Sequence, residues 1–276
     1  MAEVWRRFKK NHLAVLGLII LAIMVLLVAF AGVIAPYGFD EQDYYAVFQG
    51  PSLQHLCGTD NLGRDIFSRL LYGGRVSLTI GIISVGIGLI VGGAIGAIGG
   101  YFGGKIDNVL MRFMDILMAI PSVILGVSIC AALGPGLVNT MIAVGISTIP
   151  QYTRILRSSI MSVKQQEFVE AARAIGAGNG RIISKHIIPN SMSGLIVQAS
   201  MGVGRAIISA ASMSFIGLGI QPPNPEWGAM LSAGRPYFRD NPQMVLFPGI
   251  AIFLAVLAIN LVGDGLRDAL DPRLKK

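Results

Sequence analysis

Long apolar runs broken by short polar segments set the pattern of this chain. The runs cover residues 13–35, 76–100, 107–133, 138–152, 192–218 and 244–262. A helix crosses a bilayer in about 20 predominantly apolar residues, and lipid tolerates only structures that satisfy their own backbone. The pattern predicts an all-α integral membrane protein with six transmembrane helices. Between the fourth and fifth runs lies the longest internal polar stretch expected on the inner side, Lys164–Asn190, which reads KQQEFVEAARAIGAGNGRIISKHIIPN.

Charge bias orients the runs. Basic loops stay cytoplasmic. Trp5-Arg6-Arg7-Phe8-Lys9-Lys10 precedes the first run. A secretory signal is the other reading of that start, and Ala29-Phe30-Ala31 resembles a cleavage site. The apolar run exceeds the roughly 7–15 residues of a signal core, so an uncleaved span is expected. Residues 36–75 hold five acids (Asp40, Glu41, Asp43, Asp60, Asp65) and three arginines, which places them outside. From Arg154 to Lys185 there are six Lys or Arg and two acids, which places that stretch inside. Arg267, Arg273, Lys275 and Lys276 put the C-terminus inside as well.

The central polar segment has helical periodicity of its own. Phe168, Ala171, Ala172 and Ile175 share one face at three- and four-residue spacing. Ser162 and Gln165 have capping-box spacing, and Gly176 and Gly178 can end the helix in the left-handed conformation. A second short helix is expected from about Arg181 to Ile188, with Pro189 ending it. The segment therefore reads as helix, glycine elbow and helix at the inner surface. An amphipathic helix lying on lipid fits the same pattern, but small Ala171 and Ala172 suit a seat in a protein groove.

Within the second run, Ser84, Gly88, Gly92, Gly96 and Gly100 repeat every four residues, a stripe that lets another helix approach closely. Arg112 and Asp115 can pair one turn apart near the inner end of the third run. Arg205 falls midway along the fifth, where a charge is costly and faces a partner or a wet cavity. It is the candidate pathway residue. The proline-rich stretch at 221–228 turns the chain outside, and residues 229–238 can form an interfacial helix with Trp227 and Tyr237 near the headgroups.

Composition agrees. Of 276 residues, 53% are hydrophobic and 13% charged, and mean hydropathy is +0.66; a soluble domain is about 25% charged. The net charge of +7 lies in segments flanking the spans, which argues against nucleic acid. Cys57 and Cys130 are not expected to pair. Gly99 to Lys105 satisfies G-x-x-x-x-G-K, but Ile106 follows where Ser or Thr is needed, and a membrane helix precedes it. No nucleophile–base pair or metal cluster stands out, so no catalysis and no cofactor are assigned to this chain.

Glu170-Ala171-Ala172, then Gly176, then Ile188-Pro189 resembles the EAA signature of permeases of ATP-driven (ABC) importers. The family's form is E-A-A, three residues, Gly, nine residues, Ile-x-Leu-Pro. Here His186 stands for Ile, and Ile188 for Leu. Gly58-Thr59-Asp60, Gly63-Arg64-Asp65, Ser68-Arg69-Leu70, Gln221–Leu231 and Asn260–Leu274 resemble the dipeptide, oligopeptide and nickel permeases of that family. The resemblance implies a type I ABC importer fold. It makes the stretch from Lys164 to Gly176 a coupling helix docked on an ATPase, with Phe168, Glu170, Ala171, Ala172, Gly176 and Pro189 as its site residues. It also implies a second homologous permease, two ATPase subunits and an external solute-binding protein as partners, in a bacterial inner membrane. The chain then divides into residues 1–75 (tail, first span, external loop) and a core of 76–276. A proton- or sodium-driven transporter would want midplane acids and an inverted repeat, and a scaffold would not account for Arg205.

Overall fold

The computed structural model describes residues 2–270; the terminal Arg273, Lys275 and Lys276 lie outside the described residues. Ten helices carry the fold: α1 Ala2–Phe8, α2 His12–Ala29, α3 Ile66–Phe102, α4 Gly104–Ala119, α5 Ser122–Leu133, α6 Leu137–Lys164, α7 Glu167–Ala174, α8 Asn179–Phe215, α9 Trp227–Gly234 and α10 Gln243–Leu270. The described β-structure is one isolated bridge, Thr59 to Asp65.

Four of these helices, α2, α3, α8 and α10, are long and apolar enough to cross a membrane. The third apolar run is not one straight helix. It breaks between α4 and α5 by 88°. Pro121 offers no N–H and pushes the preceding residue out of the α region; Ile120 is extended at φ −95°, ψ 127°. Counted as one span, the bent pair makes five. The fourth run lies within α6, 28 residues long, which falls short of the same apolarity. Its position explains why: α6 is the central helix, buried against α3, α5 and α8 along Thr140, Ala143, Tyr152, Leu156 and Ile160, so protein rather than lipid surrounds it.

The glycine stripe is the seam between α3 and α6. A Cβ at Gly92, Gly96 or Gly100 would stand 2.6, 2.5 and 2.9 Å from the carbonyl oxygens of Ile149, Thr153 and Arg157. Ser84 closes the row by donating to the Met141 carbonyl at 3.1 Å. A π-turn at Gly88–Gly92 sits inside this seam.

α3 begins ten residues before the apolar run, because Asp65 caps it by accepting from the Ser68 N–H at 2.7 Å. Arg75 is tied at the same end, donating to the carbonyls of Val28 and Ala29 at 2.8 Å each. Trp227 is not at the headgroups. It is 2% exposed, packs on Gly74 and donates to the Leu70 carbonyl at 3.0 Å. Buried Glu226 sets that corner: its carboxylate accepts from the Gly228 and Ala229 N–H groups, both at 2.9 Å, and from Ser77 Oγ at 3.0 Å.

Candidate functional site

The elbow is built from the end of α6 through the start of α8. The capping box is not formed, because α6 runs through Ser162 to Lys164 and α7 starts after Gln166, whose side chain makes no capping bond. The four-residue face of α7 splits. Val169 and Ala172 turn inward and join the core, whereas Phe168 (39% exposed), Ala171 and Ile175 (85% exposed) face out. An eight-residue helix presses only a narrow stripe against its support, so its remaining apolar positions stay open. Glu170 and Arg173 are exposed too.

Gly176 ends α7 at φ +79°. Its N–H donates to the Arg173 carbonyl at 2.9 Å, and the Ala177 N–H donates to the Ala172 carbonyl at 3.1 Å. That is the Schellman pattern, which favours glycine at this position. Gly178 is extended and caps the next helix rather than ending the previous one. The second helix does not stop at Pro189. A π-turn at Ile183–Ile187 lets Pro189 enter near the N-terminus of the following α segment, where its missing N–H costs little, and α8 runs on to Phe215. Pro189 itself is exposed.

Tyr101, at the end of α3, anchors the elbow, and no sequence motif singled it out. Its carbonyl accepts from Lys164 Nζ at 2.6 Å, its ring lies 5.5 Å from that ammonium, and its hydroxyl donates to Asn179 Oδ1 at 2.6 Å. One buried ring thus touches both arms of the elbow. A tyrosine beside the glycines that end a span was the available signal. A cavity of about 310 Å³ opens beside it, lined by Gly100, Asp107, Met161, Lys164, Glu170 and Arg173.

Two ion pairs tie α4 to α6 near the elbow. Arg157 grips Asp107 with both Nε and Nη2. Asp115 pairs with Arg154 rather than with Arg112. The i,i+3 partner is exposed on α4, while the arginine of the neighbouring helix faces the carboxylate directly.

Arg205 stands apart from the elbow. With the Gln198 amide turned to satisfy both its ends, the Gln198 oxygen accepts from Gln151 Nε2 at 2.7 Å and from the Arg205 guanidinium. Arg205 lines a cavity of about 400 Å³ with Gln198, Met201, Asn260 and Asp264.

In the segment at 36–65 the buried charges are paired locally. Asp60 holds Arg64 at 2.8 Å and Arg69 at 3.7 Å, and His55 Nδ1 meets Asp65 at 3.0 Å. Both cysteines are free. Burial, with the Asp65 carboxylate adding to it, pushes the Cys57 thiol up to about 11, so it stays a thiol near neutrality.

Among the described residues the chain is built of helices, several of them long and apolar enough to cross a membrane, and it is similar to known proteins. The fold matches the methionine ABC transporter MetNI in inward-facing conformations, with a TM-score of 0.61 and 20% identity over 74% of this chain and 96% of that one. It also matches an amino acid ABC transporter solved with histidines, with a TM-score of 0.58 and 17% identity over 72% and 92% of the two chains. Residues 84–276 match the family described as binding-protein-dependent transport system inner membrane component, and residues 1–51 match the N-terminal TM domain of oligopeptide transport permease C. The chain belongs to this family of ABC importer permeases. It is 47% identical over 273 residues to the dipeptide transport system permease protein DppC of Alkalihalophilus pseudofirmus, covering 99% of this chain and 90% of that protein. It is 47% identical over 274 residues to the glutathione transport system permease protein GsiD of Escherichia coli, with the same coverages. It is a transport subunit; ATP hydrolysis belongs to separate ATPase subunits.

Proposed function

We propose that this chain forms half of the pathway of an importer for small peptides, and that α7 is its coupling helix. The single observation that carries the coupling role is the outward apolar stripe of α7. Phe168, Ala171 and Ile175 are presented by a helix whose other side is locked into the core through Val169 and Ala172. A short helix held rigidly behind and open in front transmits a push. Glu170 stands on the exposed surface as a contact for the ATPase, Gly176 fixes the turn, and Pro189 lies within α8, where the α segment following its π-turn begins.

The relatives named for dipeptide and glutathione transport favour peptides over nickel as cargo. The partners are a second, homologous permease completing the pathway, two ATPase subunits under the elbows, and an external solute-binding protein above the segment at 36–65. The membrane is the inner membrane of a bacterium. Six spans place both termini in the cytoplasm, with α4–α5 as a broken span and α6 shielded from lipid as the span of lowest hydropathy. Residues 1–75 act as an N-terminal wrap and residues 76–276 as the transporting core. The test is site-directed crosslinking. A Phe168→Cys variant in the assembled importer should capture an ATPase subunit. Absence of capture from both Phe168→Cys and Glu170→Cys, with the complex intact, removes the coupling role.

A further inference from the structure

Two opposite charges stand open on neighbouring helices, Arg205 midway along the fifth apolar run and Asp264 two residues past the end of the sixth. Arg205 of α8 and Asp264 of α10 line the same 400 Å³ cavity, and both are exposed on this chain. Among the described residues neither takes part in an ion pair. Four charges on α4 and α6 differ: Asp107 pairs with Arg157 and Asp115 with Arg154. Arg205 is held by the neutral Gln198 amide and by no carboxylate, and an intramembrane charge without an opposite charge beside it marks a wet surface or a ligand.

The two helices fix how far apart the charges are. A Cβ at Gly204 would touch Val256 and Ile259, and one at Gly263 would touch Met201 and Ser200. The helices are therefore antiparallel, and Asp264 lies level with residues 200–201. Five residues at 1.5 Å each separate that level from Arg205, roughly 7–8 Å along the axis. Two extended residues reach roughly 7 Å. Asn260 and Gln198 also line the cavity, and the Asn260 amide offers a donor and an acceptor. The volume falls at the lower end of small-ligand sites, about 300–1,000 Å³.

We infer that Arg205 and Asp264 form an intramembrane subsite for a zwitterionic peptide. Arg205 takes the free carboxylate, for which its planar fork is suited. Asp264 takes the free ammonium, and Asn260 faces the peptide bond. The face is open on this chain because the second permease closes it. The inference rests on the reading of this protein as a small-peptide permease. It adds that the membrane subunit itself reads both charged ends of its cargo.

The test is equilibrium binding of radiolabelled dialanine to the complete importer in lipid nanodiscs, without its binding protein. Saturable binding is expected, weakened about tenfold or more by Asp264→Asn and by Arg205→Gln, the scale of losing one charge-assisted contact. Arg205→Lys should recover part of the loss. N-acetyl-dialanine, which lacks the ammonium, should compete equally well against the unmodified importer and Asp264→Asn. Dialanine amide should show the matching indifference to Arg205→Gln. Absence of saturable binding, unchanged affinity in both variants, or an equal loss for every ligand overturns the subsite. Stimulation of ATP hydrolysis by loaded binding protein is read in parallel. If stimulation is present and the ligand pattern fails, only the subsite falls; if stimulation is absent from the unmodified importer, the parent reading falls.

Discussion

The segment at 36–65 and the elbow are both polar and both turn at a left-handed glycine, yet they are built in opposite ways. In the first, Asp60 binds two arginines, Asp65 binds His55 and caps α3, and Thr59 bridges Gln49 and the Ala46 carbonyl. In the second, Glu170 and Arg173 are exposed, and Phe168 and Ile175 show apolar surface to solvent. The glycines repeat the contrast. A Cβ on Gly63 (φ +71°) would lie 1.8 Å from the Asp43 carbonyl oxygen; one on Gly176 (φ +79°) would meet nothing within 4 Å. The segment at 36–65 keeps its buried charges paired within the chain, although Tyr45 and Leu53 are each 98% exposed there. The elbow is held at its back through Val169 and Ala172 and leaves Glu170, Arg173 and Ile175 exposed at its front.

The largest expected effect that tests this contrast is Asp60→Ala. Removing the acid strands Arg64 and Arg69 in a site where both are buried. Breaking such a pair from one side costs about 3–5 kcal/mol, read as a fall in thermal and denaturant stability of the purified chain. Glu170→Ala, on the open elbow, should stay within about 0.5 kcal/mol. Equal costs would erase the distinction between a closed and an open segment.

A smaller effect sharpens it. Left-handed backbone alone costs an L-residue about 1–2 kcal/mol. Gly176→Ala has free space and should cost only that. Gly63→Ala must also move the Asp43 backbone, and overpacking adds about 1–3 kcal/mol. The two alanines, measured side by side by denaturant unfolding, should therefore differ in that order. Matching losses would mean that the outer glycine is no more confined than the inner one.

How much of this was legible in the sequence depended on whether the deciding interaction was local. The Ser84–Gly100 stripe was legible because a four-residue repeat of small residues has one physical use in a membrane. Gly176 was legible because a glycine following a helical run is the cheapest left-handed stop. The start of α3 was hidden, since Asp65 caps it from outside the apolar window. Pro121 lay inside an apolar run, where hydropathy is blind to the bend it forces. Trp227 looked like a headgroup anchor because nothing local shows that Gly74 makes room for it. Asp115 was matched to Arg112 because sequence displays neighbours one turn away, not the arginine of a helix 39 residues on. The division of α7 was hidden for the same reason. Periodicity places Phe168, Ala171, Ala172 and Ile175 together, but only the packed core decides which of them it covers.

That exposed face gives the smallest effect on stability and the sharpest contrast between the two segments. Ile175 is 85% exposed and Phe168 39% exposed, so water already surrounds much of what a polar replacement would uncover. Phe168→Ser and Ile175→Ser should each leave the stability of the chain within about 0.5 kcal/mol, as surface substitutions do. Their cost should appear only when the elbow is covered. Full burial of a side chain of this size contributes about 1.5–3 kcal/mol, so affinity of the permease pair for its ATPase subunits should fall roughly tenfold or more for each. Titrating the ATPase onto reconstituted permease, beside an unfolding curve for the same variant, separates the two quantities. If stability drops while affinity holds, Phe168 and Ile175 belong to the chain's own core, and the elbow is as self-contained as the segment on the other side of the membrane.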